Sequence, residues 1–211
     1  MSKKDKYVEN IRNLFSESVE VKKIIIESDA SETLSSMGQV IARSLKQGNK
    51  LMLCGNGGSA ADAQHLAAEM LVRLRPKNNR EGIAAIALAQ DTSTITACGN
   101  DFGYECLYER MVSTLGKKGD VLIGITTSGK SENIIRAMKV AKKMDIIVMG
   151  FLGAGGGPAN AHCDMSFIVP SDDTGRIQES HITAGHALME NIEDRLIEDE
   201  FIHLEKQVSD E

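Results

Sequence analysis

The stretch from Lys50 to Arg73 most constrains what this chain can fold into. Its sequence is KLMLCGNGGSAADAQHLAAEMLVR. Residues 51–54 form a short apolar run that ends at a glycine, which is typical of a buried strand and its turn. The glycines at 55, 57 and 58 let the backbone approach a ligand closely, and Ser59 is a good N-cap for the Ala-rich helix that follows. The sequence therefore predicts a strand, a glycine loop and a helix.

A glycine loop at a helix N-terminus favours an anion as ligand. Such a loop presents unpaired backbone N–H groups and a partial positive charge, which suit a phosphate group. The loop GNGGS is neither a GxGxxG fingerprint nor a P-loop, because no Lys-Ser/Thr pair follows its last glycine. On these residues alone, phosphate binding and a purely structural turn are equally good interpretations.

The predicted helix carries three ionisable side chains at helical spacing. His65 and Glu69 are four residues apart and share one face, and Arg73 lies one turn further along. Solvent-exposed i,i+4 pairs are the usual explanation for such a trio. Apolar residues between them indicate instead that much of the helix is packed, where charges need partners or a function. These are Leu66, Ala67, Ala68, Met70 and Leu71.

Composition limits the possible functions. The chain of 211 residues is long enough for one domain with a sizeable core, and its net charge of −6 offers no basic surface for nucleic acid. A phosphate site must therefore be local, built from backbone amides and hydroxyls. The four cysteines have neither metal-site spacing nor disulfide density, so we expect reduced thiols and a cytoplasmic location. No apolar run of signal-peptide or membrane-span length occurs, and we expect no membrane partner.

Two helices are predicted ahead of the first strand. Apolar residues recur at near-helical spacing from 6 to 27, and a second helical pattern runs from 31 to 47, before Gly48 and Asn49. Residues 24–26 are all isoleucine, so the first helix is apolar on more than one face. A subunit interface and a helix packed wholly within the chain both fit this pattern.

Apolar runs and helical patterns alternate through the rest of the chain. Strands are predicted at 83–89, 121–125, 146–151 and 167–170, and helices at 105–115, from 131 to 143 and from 176 to 204. Nearly continuous apolar strands predict an α/β fold with a parallel sheet covered on both faces. Ligands of such sheets lie outside the carboxyl ends of the strands. We therefore expect the polar loops to meet there, including a hydroxyl-rich loop at 91–96 and a flexible glycine-rich loop at 153–158.

Two further segments carry candidate ligand groups. Residues 126–131, TTSGKS, place four hydroxyls between a strand and a helix N-terminus, which is more than a helix cap requires and favours a second anion cradle. Asn100 and Asp101 are typical of a turn. In the last helix, Gln178 and His186 are about two turns apart and can face one cleft. For His181, as for any lone histidine, a hydrogen-bonded, partly buried imidazole is the default interpretation.

In combination, these motifs resemble the phosphoheptose isomerases of the sugar isomerase (SIS) domain superfamily. The resemblance rests on GNGGSAADAQHLAAE, GND at 99–101, TTSGKS at 126–131 and RIQESHITAGH at 176–186. It implies a single SIS domain over residues 1–211, with two N-terminal helices at 1–48 in an oligomer interface. Residues 49–205 would form a three-layer, flavodoxin-like core around a five-stranded parallel sheet. It also implies a cytoplasmic homotetramer whose active sites draw residues from neighbouring subunits.

The family converts D-sedoheptulose 7-phosphate into D-glycero-D-manno-heptose 7-phosphate, the first step of nucleotide-heptose synthesis for surface polysaccharides such as lipopolysaccharide. The match implies a phosphate cradle of Thr126, Thr127, Ser128 and Ser131. It implies further substrate contacts by Asn56, Gly57, Gly58, Ser59, Glu69, Asn100, Asp101, Asp173 and Gln178. Thr126 stands where many relatives have serine, and the sugar specificity stays open.

The resemblance also implies how the reaction proceeds. Glu69 and His186 match a catalytic pair in which the carboxylate moves a proton between C1 and C2 and the imidazole serves the oxygens of a cis-enediol. Some members bind zinc through residues matching His65, Glu69, Gln178 and His186, so we expect one zinc per subunit. The alternatives are a non-catalytic SIS protein, either a sugar-phosphate-sensing regulator or a binder of a replication initiator, and an isomerase of a shorter sugar phosphate. Retention of the catalytic pair favours the enzyme.

Overall fold

In the computed structural model, residues 3–88 and 91–204 are described, and they form seven α-helices and five β-strands. The helices are α1 (Lys3–Glu27), α2 (Ala30–Lys46), α3 (Gly58–Leu71), α4 (Thr92–Asp101), α5 (Leu107–Leu115), α6 (Glu132–Lys143) and α7 (Thr174–Glu198). The strands are β1 (Leu51–Gly55), β2 (Ala85–Ala87), β3 (Val121–Thr126), β4 (Ile147–Leu152) and β5 (Met165–Ile168). Short 3₁₀ turns lie at Tyr104–Cys106, Ala154–Gly156 and Pro158–His162.

The five strands form one parallel sheet in the order β2-β1-β3-β4-β5. Alternate residues of each strand point to opposite faces, so Leu51 and Leu53 enter one core cluster while Met52 and Cys54 enter the other. The first cluster includes side chains of α2, α3 and α7, and the second includes side chains of α4, α5 and α6. The predicted three-layer α/β fold with a five-stranded parallel sheet is confirmed.

The two predicted N-terminal helices are also present. α2 packs its buried face, which includes Met37, Ile41 and Leu45, into the first core cluster. α1 adds only the partly buried Val21 and Ile25 to that cluster, whereas Ile11, Leu14 and other apolar side chains along the helix are exposed. No helix in the described part of the chain combines the length and hydropathy that a membrane crossing requires.

Several predicted boundaries around the polar loops were wrong. Ser59 is not the N-cap of α3; Gly57 occupies that position, and Ser59 is buried in the first turn. The segment 91–96 is not a loop, because the Asp91 carboxylate accepts a hydrogen bond from the Thr94 amide at 2.7 Å and caps α4. The predicted glycine-rich loop at 153–158 contains the 3₁₀ turn Ala154–Gly156 and ends where the turn Pro158–His162 begins.

The ends of the outer elements differ from expectation as well. α7 stops at Glu198 rather than 204, because Glu200 takes a positive φ of 54° and the amides of residues 201 and 202 turn back onto the Leu196 carbonyl. The second strand is shorter than the predicted 83–89, and Ala89 lies outside the described residues, as does residue 205, the expected end of the core.

His181 lies inside the core that α7 forms with the sheet. Its ring is 1% exposed and packs against Phe151 and Phe167, with centroid distances of 5.9 and 6.4 Å. Nε2 lies 3.0 Å from the Leu152 carbonyl oxygen, while Nδ1 has no hydrogen-bond partner among the described residues. Burial lowers the pKa of this imidazole from 6.5 to about 4. His181 is therefore a neutral core residue, hydrogen-bonded as the default interpretation predicted but more fully buried than it expected.

This burial predicts a loss of stability in mild acid. Between pH 6.5 and about 4 the unfolded chain binds a proton that the folded His181 excludes, so stability falls as the pH drops through that window. We expect the free energy of unfolding to decrease by about 2 kcal/mol from this residue between about pH 7 and pH 5. Urea unfolding of the wild type and His181→Gln at both pH values measures this term.

The exposed His203 supplies the control for this measurement. Its ring is 71% exposed, so His203→Gln should leave the pH dependence of the unfolding free energy as in the wild type. His181→Gln should flatten it by the amount given above. Equal pH dependence in His181→Gln and the wild type would refute the assignment.

Candidate active site

The glycine loop joins β1 to α3 and is shaped for close backbone approach. Gly57 has a φ of 56°, in the left-handed region that favours glycine, and open space surrounds the position of its missing Cβ. Gly58 opens α3, and a Cβ there would overlap the side-chain amide of Gln178. The loop therefore lies against α7 at the carboxyl end of β1.

The second cradle follows β3, the strand next to β1 in the sheet. The Thr126 and Ser131 hydroxyl oxygens are 3.1 Å apart, and the Ser128 hydroxyl accepts a hydrogen bond from the Lys130 amide at 3.2 Å. Gly129 has a φ of 63°, and a Cβ there would clash with the backbone of Gly156. Ser131 is the N-cap of α6 without using its side chain as a cap, so its hydroxyl is free of that role. The segment gathers hydroxyls at a helix N-terminus.

A side-chain network that the sequence did not reveal joins the two loops. Asn56 and Asn133 exchange amide hydrogen bonds of 2.8 and 2.9 Å, and the Tyr104 hydroxyl donates to the Asn56 side-chain oxygen at 2.9 Å. Asn133 is 4% exposed and also accepts from the Ile134 amide. The orientation of Asn56 is therefore fixed from α6. Asparagine in a first helical turn is too common to have singled out Asn133 beforehand.

The third group of candidate residues comes from two helices, α3 and α7. His65 Nε2 lies 2.8 Å from His186 Nε2 and 3.3 Å from the nearer Glu69 carboxylate oxygen. The helices approach closely because residue 185 is glycine; a Cβ there would be 2.7 Å from the Leu66 side chain. One atom from each of the two histidines and from Glu69 lies within 4.8 Å of the others, and the Glu69 side chain is only 16% exposed.

This cluster suits a divalent metal such as zinc. Two imidazole nitrogens 2.8 Å apart face each other, and only one of them can carry the shared proton. Ligand atoms of a tetrahedral zinc ion are about 3.3 Å apart, since each lies about 2.0–2.1 Å from the metal. The observed spacings of 2.8 and 3.3 Å are close to this value. Two imidazoles and a carboxylate are also a donor set that zinc accepts.

Gln178 lies beside Asp62, a residue that the sequence interpretation missed. A hydrogen bond from Gln178 and the nearby His65 and His186 favour the charged form of Asp62, but burial dominates and raises the pKa of its carboxyl. One Asp62 carboxylate oxygen is buried without a partner among the described residues. The sequence did contain a signal for Asp62, because this residue precedes His65 by three positions and so lies on the same helix face. Gln178 thus contacts both the glycine loop at Gly58 and Asp62 on α3.

The remaining candidates lie near helix ends. Asn100 and Asp101 are exposed in the last turn of α4, not in a turn, and their side chains are hydrogen-bonded to each other at 2.7 Å. Asp173 is the N-cap of α7 and accepts a hydrogen bond from the Arg176 amide at 2.9 Å. Arg73 does not share the face of His65 and Glu69, because α3 ends at Leu71.

The two loops and the histidine cluster lie at different positions along the axis of α3. The loops lie at the carboxyl ends of the strands, whereas Glu69 is eleven residues along α3 from Gly58, which corresponds to about 16 Å of helix axis. The loops after β1 and β3 meet at this edge, as expected, since Asn56 is hydrogen-bonded to Asn133. Glu69 lies away from that edge, further along α3.

Comparison with known proteins finds a matching family model, similar sequences and similar solved structures. The SIS domain family model matches residues 6–153. The phosphoheptose isomerase of Aquifex aeolicus is 49% identical over 191 residues, which cover 90% of this chain and 98% of that protein. The phosphoheptose isomerase of Clostridium acetobutylicum is 47% identical over 180 residues, which cover 85% of this chain and 91% of that protein. The solved structure of phosphoheptose isomerase GmhA from Neisseria gonorrhoeae superposes with a TM-score of 0.82 at 39% identity, covering 89% of this chain and 99% of that one.

Proposed function

The chain belongs to the phosphoheptose isomerase family of SIS-domain proteins, and from that membership we propose that it isomerises D-sedoheptulose 7-phosphate to D-glycero-D-manno-heptose 7-phosphate. The reaction is an aldose–ketose isomerisation and the first step of nucleotide-heptose biosynthesis for lipopolysaccharide and related surface polysaccharides. The observation that carries this proposal is the convergence of Glu69 and His186 in one partly buried cluster. A carboxylate and an imidazole are the two groups that an enediol mechanism needs.

The phosphate would bind in the hydroxyl cradle. Thr126, Thr127, Ser128 and Ser131 offer neutral donors beside the N-terminus of α6, which favours an anion without a lysine. The sugar hydroxyls would meet the amides and side chains of the glycine loop, with Asn56 held in position by Asn133. Further contacts would come from Gly57, Gly58, Ser59, Asn100, Asp101, Asp173 and Gln178.

The proton transfers can be assigned to two residues. The Glu69 carboxylate takes a proton from C1 of the ketose while His186 donates a proton to the carbonyl oxygen on C2, which gives the cis-enediol. Glu69 then returns a proton to C2 and His186 takes the proton of the oxygen on C1, which leaves the aldehyde. Each residue ends in its starting protonation state, and no redox cofactor is consumed.

We propose that one zinc ion per subunit is held by His65, Glu69, Gln178 and His186. The geometry of the two histidines and the glutamate supports this proposal, and the amide oxygen of Gln178 would complete the set. A bound zinc supplies Lewis-acid polarisation of the substrate oxygens. Because metal ligation lowers the basicity of a carboxylate, Glu69 would have to divide its two oxygens between the metal and the proton.

We also propose a homotetramer with composite sites, which two observations support. The exposed apolar side chains of α1 would be covered by another subunit, and Phe15 among them is 72% exposed. Glu69 is about 16 Å along α3 from Gly58, at the loop end of the helix, so we propose that a cradle from one subunit serves the cluster of its neighbour. A cytoplasmic location is proposed with it, supported by four free cysteines, of which Cys54 and Cys98 are buried.

Substitution of the base tests the isomerase proposal. Wild-type protein incubated with sedoheptulose 7-phosphate in D₂O should form the aldoheptose with deuterium at C2, observed by NMR. Glu69→Gln should lower kcat by about 10²–10⁴-fold because the carbon-bound proton loses its acceptor, while the sugar phosphate still binds. Glu198→Gln, an exposed change at the end of α7, should leave kcat unchanged. Folded wild type that binds the sugar phosphate but neither isomerises nor exchanges it would be a sensing module instead.

Metal content tests the zinc proposal independently of activity. Wild-type protein dialysed against zinc should retain about one ion per subunit by elemental analysis, as a closed His/Glu donor set predicts. His65→Ala should lose most of this zinc because one imidazole ligand is missing. His162→Ala, which alters a histidine outside the cluster, should retain it. Equal zinc content in both variants would place the metal elsewhere.

A charge on α1 tests the assembly. Phe15→Asp should convert the tetramer seen by sedimentation velocity into smaller species, because an apolar contact of the subunit interface becomes charged. Asn13→Asp adds the same charge at an exposed polar position of the same helix and should not change the sedimentation coefficient.

The composite site has a separate readout. Coexpression of Glu69→Gln with a Ser128→Ala/Ser131→Ala cradle variant should give mixed tetramers with more activity than either parent, since some sites then receive both intact halves. A monomeric wild type that is fully active would contradict the proposed assembly and its shared sites.

A further inference from the structure

A buried arginine closes the C-terminal end of α3, the helix that carries Glu69. The Arg80 side chain is 1% exposed, and its Nη2 donates to the Glu69 carbonyl at 2.9 Å. Its Nη1 reaches the carbonyls of Met70 at 3.0 Å, Glu81 at 2.9 Å and Val72 at 3.4 Å. The last carbonyls of a helix have no intrahelical donor, so this one guanidinium satisfies the end of α3.

The same guanidinium also binds α7, the helix that carries His186. Arg80 Nε donates to one Glu193 carboxylate oxygen at 2.6 Å, and the Glu193 side chain is 2% exposed. The other Glu193 oxygen accepts from Arg75 Nε at 2.5 Å and from the Asn78 amide at 3.3 Å. Arg75 additionally pairs with Asp194 and Glu190 on α7. Arg80 is therefore the member of this group that joins the two helices.

The link between Arg80 and Glu193 lies close in the chain to the two proposed catalytic residues, Glu69 and His186. Glu193 follows His186 by seven residues, close to two helical turns, so both lie on the α7 face that packs toward α3. On α3, Arg80 donates a hydrogen bond to the backbone carbonyl of Glu69 itself. The contact of Gly185 with Leu66 lies beside His65 and His186, one to two helical turns before the link on each helix. The contact and the link together hold α3 against α7 along the cluster.

We propose that Arg80 and Glu193 are positioning residues of the isomerase site, which hold the Glu69 carboxylate and the His186 imidazole at their working separation. This inference rests on the function proposed above. A buried ion pair is a poor source of stability, because desolvation offsets most of the attraction, whereas its fixed geometry specifies one arrangement of the groups it joins. The bidentate-capable, planar guanidinium suits such a role better than an ammonium group.

The expected effect is on turnover rather than on substrate affinity. A displacement of about 1 Å between reacting groups can cost about 10²-fold in rate, and a loosened link should displace Glu69 and His186 by less than that. Glu193→Gln cuts the charged link to α7 and leaves the hydrogen bonds of Arg80 to α3 in place. We expect kcat for sedoheptulose 7-phosphate to fall about tenfold and KM to change less than about twofold.

A matched variant separates positioning from general destabilisation. Asp120 is fully buried and accepts from Lys50 Nζ at 2.5 Å, Lys50 N at 3.0 Å and Lys117 N at 2.8 Å, and none of these donors belongs to α3 or α7. Asp120→Asn therefore also removes a buried negative charge, and melting temperatures of both variants would be measured. At a temperature where both are folded, Asp120→Asn should keep the wild-type kcat while Glu193→Gln does not.

Two further variants complete the test. Arg75→Gln removes a partner of Glu193 that donates no hydrogen bond to α3, and kcat should stay within about twofold of the wild type. Arg80→Lys keeps the charge without the planar fork and should lower kcat at least as much as Glu193→Gln.

The outcomes distinguish the two proposals. A kcat loss in Glu193→Gln no larger than that in Asp120→Asn or Arg75→Gln would overturn the positioning role while leaving the isomerase intact. Absence of turnover in the wild type would instead overturn the proposed function.

Discussion

The candidate active site depends on the close packing of α3 against α7. Both helices cover the same face of the sheet, and their buried residues share one core cluster with β1, β3 and β4. Gly185 permits the approach, since a side chain there would meet Leu66 within 2.7 Å. His65 and His186 are the immediate neighbours of these two residues in the chain. A helix contact set by core packing thus brings two imidazoles to 2.8 Å, which neither helix could do alone.

Charge is used differently in the two parts of the site. The loops at the carboxyl ends of β1 and β3 present amides and hydroxyls, which can accommodate a phosphate without a buried cation. The cluster on α3 and α7 presents ionisable groups that can exchange protons or hold a metal. These parts lie at different levels of one subunit, which supports the proposal above that a second subunit completes the site. The exposed apolar face of α1 gives such an assembly a surface to use.

Local patterns predicted the sheet and one pair of candidate site residues, but not the contacts between distant segments. Continuous apolar runs predicted five parallel strands, and the spacing of His65 and Glu69 predicted their shared face. Helix ends were less predictable. Asp91 caps a helix where the sequence indicated a loop, and the positive φ of Glu200 ends α7 earlier than the residues up to 204 indicated. Asn133 was missed, since its partner Asn56 lies 77 residues away.

The connector between α3 and β2 shows most clearly why such features escape a sequence. Residues 75–81 contain four charged side chains of the kind that usually lie on a solvated surface. In the fold, Arg75 and Arg80 both reach Glu193, which is 113 residues from Arg80 in the chain, and Arg80 becomes almost wholly buried. A single carboxylate near the end of α7 determines this outcome, because without it a buried guanidinium would have no compensating charge. Local composition therefore predicts a surface loop for the connector. In the tertiary structure, its Arg80 is buried and is hydrogen-bonded to both helices of the candidate site.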